Sequence, residues 1–311
     1  MTAVPREVLE ALDADLEGLI AADRALGPLT TYRVGGPARR FANVNTDDDL
    51  RRVGHTVQRT GVEVLIVGKG SNLLVADAGF EGLAVQLGAG FAEVTVEGTT
   101  VRAGAAAALP VVARRTAAAG LTGFEWAVGV PGSIGGAVRM NAGGHGSDLA
   151  ASLARVRVVD LADGEDGEVT TDALELSYRS SALAPHQVVA WAELELAVGD
   201  RVRAEAEISE IVRWRRANQP GGQNAGSVFT NPPGHSAGRL IDAAGCKGLR
   251  VGTAEVSPKH ANFIQADEGG AADDVWRLMA EVRRLVHHRT GVVLHPETRL
   301  VGFPPLPELG G

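Results

Sequence analysis

Residues 129–146 constrain the fold more than any other part of the sequence, because this stretch is dense in glycine and contains no acidic residue. Glycine leaves backbone N–H groups uncovered and permits positive φ, so successive N–H groups can turn inward and form a concavity that binds an anion. A tight surface turn or a barrel corner would use glycine in the same way. The spacing of the glycines alone therefore leaves both interpretations open.

A second segment of the same character lies upstream. The β-branched run at residues 64–67 leads into the small, polar turn at residues 68–73, which is typical of a strand ending in a phosphate-binding loop. Glu63 and Gly70 break the pattern of a Walker loop, and Leu73 stands where a dinucleotide fingerprint has its third glycine. The sequence thus predicts a second phosphate cradle and does not support a Rossmann domain.

Length and composition limit the classes of protein that this chain can be. Its 311 residues predict two or three domains. The net charge of −8 argues against nucleic acid as the main partner. No apolar run is long enough for a membrane span, residues 1–26 carry acids where a signal peptide would be apolar, and Cys246 is the single cysteine. We expect a cytoplasmic protein without membrane association or an obligate protein partner.

Local patterns predict several helices and strands. A helix is expected at residues 46–61, with Thr46 as N-cap and Gly61 as the stop, and a strand follows at 62–67. Further expected elements are a hairpin at 94–101, a helix from 109 to 120, strands at 156–161 and 188–196, a helical segment from 204 and a last amphipathic helix through 275–286. The changes in pattern predict domains at 1–80, 81–200 and 201–311.

Six ordered motifs together carry a family resemblance. Besides the two glycine segments they are Thr-Tyr-Arg-Val-Gly-Gly-Pro-Ala at 31–38, Ser-Tyr-Arg-Ser-Ser at 177–181, Gly-Ser-Val-Phe-Thr-Asn-Pro at 226–232 and Leu-His-Pro-Glu-Thr-Arg at 294–299. From about residue 29 to residue 303, the chain resembles the UDP-N-acetylenolpyruvoylglucosamine reductase (MurB) family, flavoenzymes of peptidoglycan synthesis. It lacks a long insertion after Tyr178-Arg179, so it is most similar to the shorter, second subclass.

The resemblance implies a fold and two cofactors. The implied fold is α+β: a two-subdomain FAD-binding fold of the vanillyl-alcohol-oxidase (PCMH) type, not a Rossmann fold, followed by a C-terminal α+β domain that binds the substrate. FAD is expected to be non-covalent, with NADPH as the hydride donor. The implied cofactor-binding residues are Tyr32, Arg33, Val67, Gly68, Lys69, Gly70, Ser71, Asn72, Leu73, Gly129, Pro131, Gly132, Ser133, Gly135, Gly136, Asn141, Gly143 and Arg213.

The resemblance also implies a reaction in two halves. NADPH reduces the flavin, and a hydride then passes to the methylene carbon of an enolpyruvyl ether on a nucleotide sugar. Negative charge develops at the adjacent carbon and its carboxylate, which calls for a fixed cation and a positioned acid. Arg179 and Glu297 match the family's catalytic arginine and glutamate, and Ser227 matches its proton donor. The implied substrate-binding residues are Tyr178, His145, Arg216, Asn231, Lys259 and His260.

Two positions depart from the family pattern, and other functions stay open. Many members have tyrosine where His145 stands and lysine near the position of Asn218. The histidines at 287, 288 and 295 lack further ligands at zinc spacing, so no metal is expected. The alternatives are a flavin oxidase of the same cofactor fold acting on another alcohol or sugar, and a nucleotide-sugar sensor without catalysis.

Overall fold

The computed structural model describes residues 4–309, so the outermost residues of the predicted first and third domains lie outside it. The α-helices are α1 (Arg6–Asp15), α2 (Asp47–Thr60), α3 (Leu109–Ala118), α4 (Ile134–Met140), α5 (Arg201–Asn218), α6 (Ala237–Ala243) and α7 (Ala272–Thr290). The strands are β1 (Ile20–Ala25), β2 (Pro37–Val44), β3 (Val64–Ile66), β4 (Leu73–Val75), β5 (Phe80–Leu87), β6 (Val94–Glu97), β7 (Thr100–Gly104), β8 (Leu121–Thr122), β9 (Gly143–Gly144), β10 (Ser147–Asp148), β11 (Leu153–Asp160), β12 (Asp166–Thr170), β13 (Gln187–Glu195), β14 (Ala197–Val198), β15 (Arg250–Val251), β16 (Ala254–Val256), β17 (Ile264–Ala266) and β18 (Arg299–Val301).

The first unit is a four-stranded mixed sheet in the order β1-β2-β5-β3, in which β2 and β3 both run parallel to β5. The helix α2 packs on it and confirms the predicted helix at 46–61. The Thr46 side chain accepts the Asp49 N–H, and Gly61 ends the helix at φ 63°. The predicted strand at 62–67 is confirmed over Val64–Ile66, and it ends directly before the first glycine turn.

The second unit is an antiparallel sheet in the order β12-β11-β13-β7-β6. It confirms the predicted hairpin at 94–101 and the strands at 156–161 and 188–196. The predicted helix from 109 is α3, with Pro110 in its first turn, where the missing N–H costs no helical hydrogen bond. Phe124 and Trp126 pack edge to face at 5.3 Å in the core under this sheet, just before the second glycine turn.

The third unit packs the small sheet β15-β16-β17 against α7. This helix confirms the prediction at 275–286, and Gly291 ends it at φ 72°. Its inward face is almost inaccessible to solvent and consists of Val275, Leu278, Met279, Val282 and Val286. A buried apolar stripe of this kind supplies most of the stability of such a helix.

Three contacts join the units. The strand β18 returns to pair in parallel with β4, and the carboxylate of Asp77 accepts the backbone N–H groups of Ala272 and Asp273 at the start of α7. The buried face of α5, with Ile208 and Ile211, joins the core of the second unit. The division at residues 80 and 200 stays a prediction, and the packing of α5 favours a second boundary after this helix. Within residues 4–309, every helix is too short or too polar to span a bilayer.

Candidate active site

The two glycine turns, distant in sequence, face each other in the structure. A Cβ placed on Gly68 would lie 2.8 Å from the Ser133 Oγ, and a Cβ on Gly132 would lie 3.5 Å from the Ser71 Oγ. The first turn follows β3 and the second precedes α4. The close approach explains the glycine at position 68, because a side chain there would enter the opposite turn, whereas a Cβ at position 132 would make only ordinary van der Waals contact.

The first turn has the geometry of an anion cradle. Within residues 4–309, none of the five consecutive backbone N–H groups from Gly68 to Asn72 donates a hydrogen bond. Gly70 lies at φ 60°, and a Cβ there would come within 2.6 Å of the Thr30 Cα. Since an unpaired N–H group is costly when it is kept from water, such a row is suited to a ligand rich in oxygen acceptors.

The second turn offers fewer donors than its glycines suggest. The N–H groups of Ile134 and Gly135 donate to the carbonyls of Ala107 and Ala105, both at 2.9 Å. The N–H groups of Gly132 and Ser133 donate no hydrogen bond in the part of the chain that the structure describes. Gly135 packs closely against Ala105, because a Cβ at position 135 would lie 3.0 Å from the Ala105 Cβ and one of the two segments would have to shift. We therefore expect residues 132–133 to be the ligand-facing part of this turn.

Arg215 is the arginine of α5 that reaches the glycine turns. Its Nη1 donates to the Gly129 carbonyl, and its Nε donates to the Gln219 Oε1 at 2.7 Å. Arg213, the predicted cofactor ligand, is exposed, and its Nε lies 3.4 Å from the Ser209 carbonyl. In the sequence, Arg213, Arg215 and Arg216 all precede a flexible turn from which they could reach a phosphate, but only Arg213 was predicted as a cofactor ligand.

Arg139, Arg215 and Arg299 are all half-buried, and across residues 4–309 none of them forms an ion pair with a carboxylate, although Glu63 is near enough to Arg299 to favour its charged form. Burial lowers the pKa of the Arg139 guanidinium to about 10, and it also lowers the pKa of Arg215 and of Arg299. A guanidinium keeps its charge at neutral pH, so Arg215, which contacts the second glycine turn, places a positive charge beside the cradle although the net charge of the chain is −8.

The three predicted catalytic residues lie together, although they come from three distant segments. The Arg179 Nε donates to the Glu297 Oε1 at 2.8 Å, and the Arg179 Nη2 donates to the Gly143 carbonyl at 2.8 Å. The Glu297 N–H donates to the carbonyl of Val228, the neighbour of Ser227, at 2.8 Å. Ser227 is therefore one residue away from a backbone contact with Glu297.

Glu297 is bonded at both its backbone and its side chain, by Asn72 and by Arg179. The Asn72 Nδ2 of the first glycine turn donates to the Glu297 carbonyl at 2.9 Å, which links the anion cradle to the catalytic cluster. Burial raises the pKa of the Glu297 carboxyl, and Arg179 opposes that shift. Arg179 itself lies at φ 57°, a strained conformation of the kind that clusters at functional sites.

Two of the predicted substrate residues lie on the exposed side of this cluster. The Asn231 Nδ2 donates to the Tyr178 hydroxyl at 3.4 Å, and the Arg179 guanidinium lies 5.1 Å from the centre of the Tyr178 ring. His145, at the tip of the hairpin β9–β10, packs edge to face on Trp214 at 5.1 Å. Burial, with the nearby charge of Arg215, lowers the pKa of His145.

The other predicted substrate residues, Arg216, Lys259 and His260, take part in hydrogen bonds that involve the backbone of the third unit or of α5. The Lys259 Nζ donates to the Arg216 carbonyl at 2.6 Å, so the structure shows Arg216 contributing a backbone group. His260 accepts the Asn262 N–H at its Nδ1, and burial lowers the pKa of His260. The Asn262 amide bonds both backbone groups of Phe229. Sequence reasoning missed these two hydrogen bonds, although Asn262 stands two residues after the predicted His260.

The remaining cofactor predictions fall into three environments. Tyr32 is fully buried, and its hydroxyl has no hydrogen-bond partner within residues 4–309. Asn141 is also buried, and its amide group contacts Asp148, Ser177 and Ala150. Val67 before the first turn and Leu73 at its end are buried, whereas these residues are exposed: Arg33, Gly68, Lys69, Pro131 and Gly136. Their contacts with a cofactor stay predictions.

Comparisons with known proteins match the chain in two parts and as a whole. A model of the FAD binding domain matches residues 38–169, and a model of the UDP-N-acetylenolpyruvoylglucosamine reductase C-terminal domain matches residues 218–301. A curated UDP-N-acetylenolpyruvoylglucosamine reductase of Granulibacter bethesdensis is 41% identical over 294 residues, which cover 93% of this chain and 93% of that protein.

Solved structures agree with these sequence matches. The crystal structure of the UDP-N-acetylenolpyruvylglucosamine reductase (MurB) from Thermus caldophilus has a TM-score of 0.80 and 35% identity, covering 91% of this chain and 99% of that chain. A glucose dehydrogenase, Phl p 4.0202, has a TM-score of 0.50 and 14% identity, covering 90% of this chain and 59% of that chain, which shows a shared fold only.

The paired glycine turns and the matched FAD-binding domain define a flavoprotein of the vanillyl-alcohol-oxidase (PCMH) fold, which confirms the predicted fold class. The third unit carries the reductase-specific C-terminal domain. Because the identity of 41% extends over 93% of both chains, the protein belongs to the UDP-N-acetylenolpyruvoylglucosamine reductase family.

Proposed function

We propose that the chain is an NADPH-dependent, FAD-containing reductase that converts UDP-N-acetylglucosamine enolpyruvate to UDP-N-acetylmuramate in peptidoglycan synthesis. The observation that carries this proposal is the convergence of Arg179, Glu297 and Ser227 beside the anion cradle. A binding protein would need the cradle and the cations, but it would have no need of a proton donor at Ser227. The same geometry supports the residue roles that follow.

The residues present fit FAD. Its diphosphate needs several donors and close backbone approach, which the free N–H groups of residues 68–72 and the glycine contacts provide. Arg215 adds a half-buried cation without a carboxylate partner. When bound, FAD supplies the hydride that it has received from NADPH.

Arg179 is assigned to the carboxylate of the enolpyruvyl group. Two of its nitrogens are held by Glu297 and Gly143, and its Nη1 donates no hydrogen bond within residues 4–309. A guanidinium fixed in this way can bind an anion without first losing its own flexibility. As hydride reaches the methylene carbon, negative charge grows on the carboxylate side of the substrate, and Arg179 stabilises that charge.

Ser227 is assigned to the proton transfer that completes the reaction. Its side chain is partly exposed, and within the described residues its hydroxyl has no hydrogen-bond partner. The proton passes from Ser227 to the carbon that bears the carboxylate, which yields the lactyl ether, and water then restores the serine hydroxyl. Glu297 orients Arg179, and burial raises the pKa of the Glu297 carboxyl while the charge of Arg179 opposes that shift.

Stopped-flow measurement of the two half-reactions tests the proposal. Ser227→Ala should leave flavin reduction by NADPH intact and slow flavin re-oxidation by the enolpyruvyl substrate about 10²-fold or more, the usual span for a positioned acid. Ser209→Ala is the matched control, because Ser209 is an exposed helix residue that bonds only its own helix. Re-oxidation at the wild-type rate in Ser227→Ala would contradict the assignment. Wild-type turnover with oxygen but not with the enolpyruvyl substrate would favour the oxidase alternative.

The expected surroundings of the protein follow from the same proposal. A soluble nucleotide sugar is the proposed partner, and the cytoplasm is the proposed location. The free, buried Cys246 supports a reducing compartment.

A further inference from the structure

The turn that carries Arg179 has little apolar packing of its own. Ser177, Tyr178 and Ser180 are exposed, and the turn closes through two backbone hydrogen bonds between Ser177 and Ser180, both 3.1 Å. Arg179 occupies the left-handed region at φ 57°. A strained and exposed turn needs outside contacts to keep one geometry.

Those contacts come from the end of α4. The Arg139 guanidinium donates to three carbonyls of the segment after the turn: Leu183 at 2.9 Å, Ala184 at 2.5 Å and Gln187 at 3.2 Å. The Arg139 carbonyl also accepts the Ser181 hydroxyl at 2.8 Å. Arg139 thus binds the chain with both its side chain and its backbone, immediately after the Arg179 turn.

The other side of the turn is held from the same helix end. The Asn141 Nδ2 donates to the Ser177 carbonyl at 3.1 Å. Arg139 and Asn141 therefore fix the two flanks of a five-residue segment with Arg179 at its centre. The same short helix begins at the glycine turn proposed to face the cofactor, so it connects the two halves of the site.

We propose that Arg139 is a positioning residue that acts through Arg179, holding the turn at 177–181 in the geometry needed to bind the substrate carboxylate. This inference rests on the proposed function. Arg139 has three carbonyl partners and, within residues 4–309, no carboxylate partner, so its role is to hold backbone. A displacement of about 1 Å at a catalytic group can slow a reaction about 10²-fold.

The test uses the purified, FAD-loaded protein and the variants Arg139→Gln and Arg139→Lys. Arg139→Gln should keep its FAD content and its rate of reduction by NADPH, and it should re-oxidise with the enolpyruvyl substrate about 10- to 100-fold more slowly. Arg139→Lys should recover part of this loss, since it can still donate to carbonyls. Arg115→Gln is the control, because Arg115 also donates to a backbone carbonyl, that of Val94, but away from the site.

A double variant separates positioning from general structural damage. If Arg139 acts through Arg179, then Arg139→Gln should add little to the slowing already caused by Arg179→Ala. Multiplicative effects in the double variant, or equal slowing of both half-reactions, would overturn the proposal. Should Arg139→Gln fail to fold, Ser181→Ala removes a single bond to the same helix end and should slow re-oxidation alone, by a smaller factor.

Amide hydrogen exchange gives a readout that does not depend on the substrate. Arg139→Gln should speed exchange in residues 177–187, and Arg115→Gln should leave it unchanged. Unchanged exchange in Arg139→Gln would refute the positioning role even if the enzyme is a reductase. Faster exchange in Arg139→Gln of a protein that does not consume the enolpyruvyl substrate would instead refute the proposed function. It would still support the role of Arg139 in holding residues 177–187.

Discussion

Replacing Gly70 by alanine should weaken FAD binding strongly, because Gly70 stands in the middle of the row of free N–H groups. The residue lies at φ 60°, and the new Cβ would overlap the Leu29 carbonyl oxygen and come 2.6 Å from the Thr30 Cα. Both atoms belong to the backbone, so no side-chain rotation relieves the contact. The Leu29–Thr30 backbone or the turn itself must move by roughly 1 Å to restore van der Waals distance.

The magnitude follows from the hydrogen bonds that such a shift would break. A hydrogen bond between an N–H group and a charged oxygen contributes about 1.5–3 kcal/mol. Losing one of them weakens binding about 10- to 150-fold, since each 1.4 kcal/mol corresponds to a factor of about ten. The left-handed conformation of alanine adds about 1–2 kcal/mol of strain to the folded state, which affects stability with and without the ligand.

Gly98→Ala separates backbone strain from displacement of the cradle. Gly98 lies at φ 61° in the turn between β6 and β7, and a Cβ there meets nothing within 4 Å. Titration of FAD into the apoprotein, followed by flavin fluorescence, should give a dissociation constant at least about tenfold higher for Gly70→Ala than for Gly98→Ala. Equal constants for the two variants would refute the assignment of residues 68–72 to the diphosphate.

Three further changes test other parts of the structure. Arg215→Gln should weaken FAD binding about tenfold and the exposed Arg213→Gln much less, measured by the same titration; the reverse order would restore Arg213 as the ligand. Asp77→Ala should lower the free energy of unfolding, measured in urea, by about 1–2 kcal/mol, because two N–H groups at the start of α7 lose their acceptor. The control Asp48→Ala removes one exposed ion pair and should lower it by less than about 0.5 kcal/mol. Burial raises the pKa of Glu297 above 4.5, so the folded state binds more protons there than the unfolded state does, and stability falls as pH rises from about 4.5 to the raised pKa. Melting curves of Glu297→Gln should lack this fall in stability with pH. The same pH dependence in Glu297→Gln and in the wild type would contradict the shift.

Local signals predicted the long elements of the fold well, because their determinants lie within the elements. The capping residues Thr46 and Gly61 mark α2, and the periodic apolar residues from Val275 to Val286 mark α7. The helix α4 was not predicted, since a segment with Gly135 and Gly136 has low helix propensity. Its helical form is selected by tertiary packing, for example the contact of Gly135 with Ala105.

The catalytic cluster was predictable only through the family resemblance. Arg179 and Glu297 are 118 residues apart in the chain, and no local pattern relates an arginine after tyrosine to a glutamate after proline. The structure also gives Asn141 hydrogen bonds that the resemblance did not imply, and its contact with the cofactor stays a prediction. Its amide group is already bonded within the protein, to Asp148, Ser177 and Ala150. A glycine-rich context identifies a ligand-binding region, but it cannot separate residues that touch the ligand from residues that hold the loop.

The position of Arg215 on the apolar face of α5 can be recognised from the sequence. The buried residues Ala204, Ile208 and Ile211 of α5 recur at intervals of four and three, and the next position on that face is Arg215, four residues further. An arginine that continues an apolar face is partly withdrawn from water, as the half-buried Arg215 is, and without a nearby acid its charge calls for an external anion or for backbone carbonyls. Arg213 lies off this face and is exposed. The spacing of apolar residues along α5 thus distinguishes its arginines by their burial, because helical periodicity decides which side chain leaves water; the assignment of Arg215 rather than Arg213 to FAD stays a prediction.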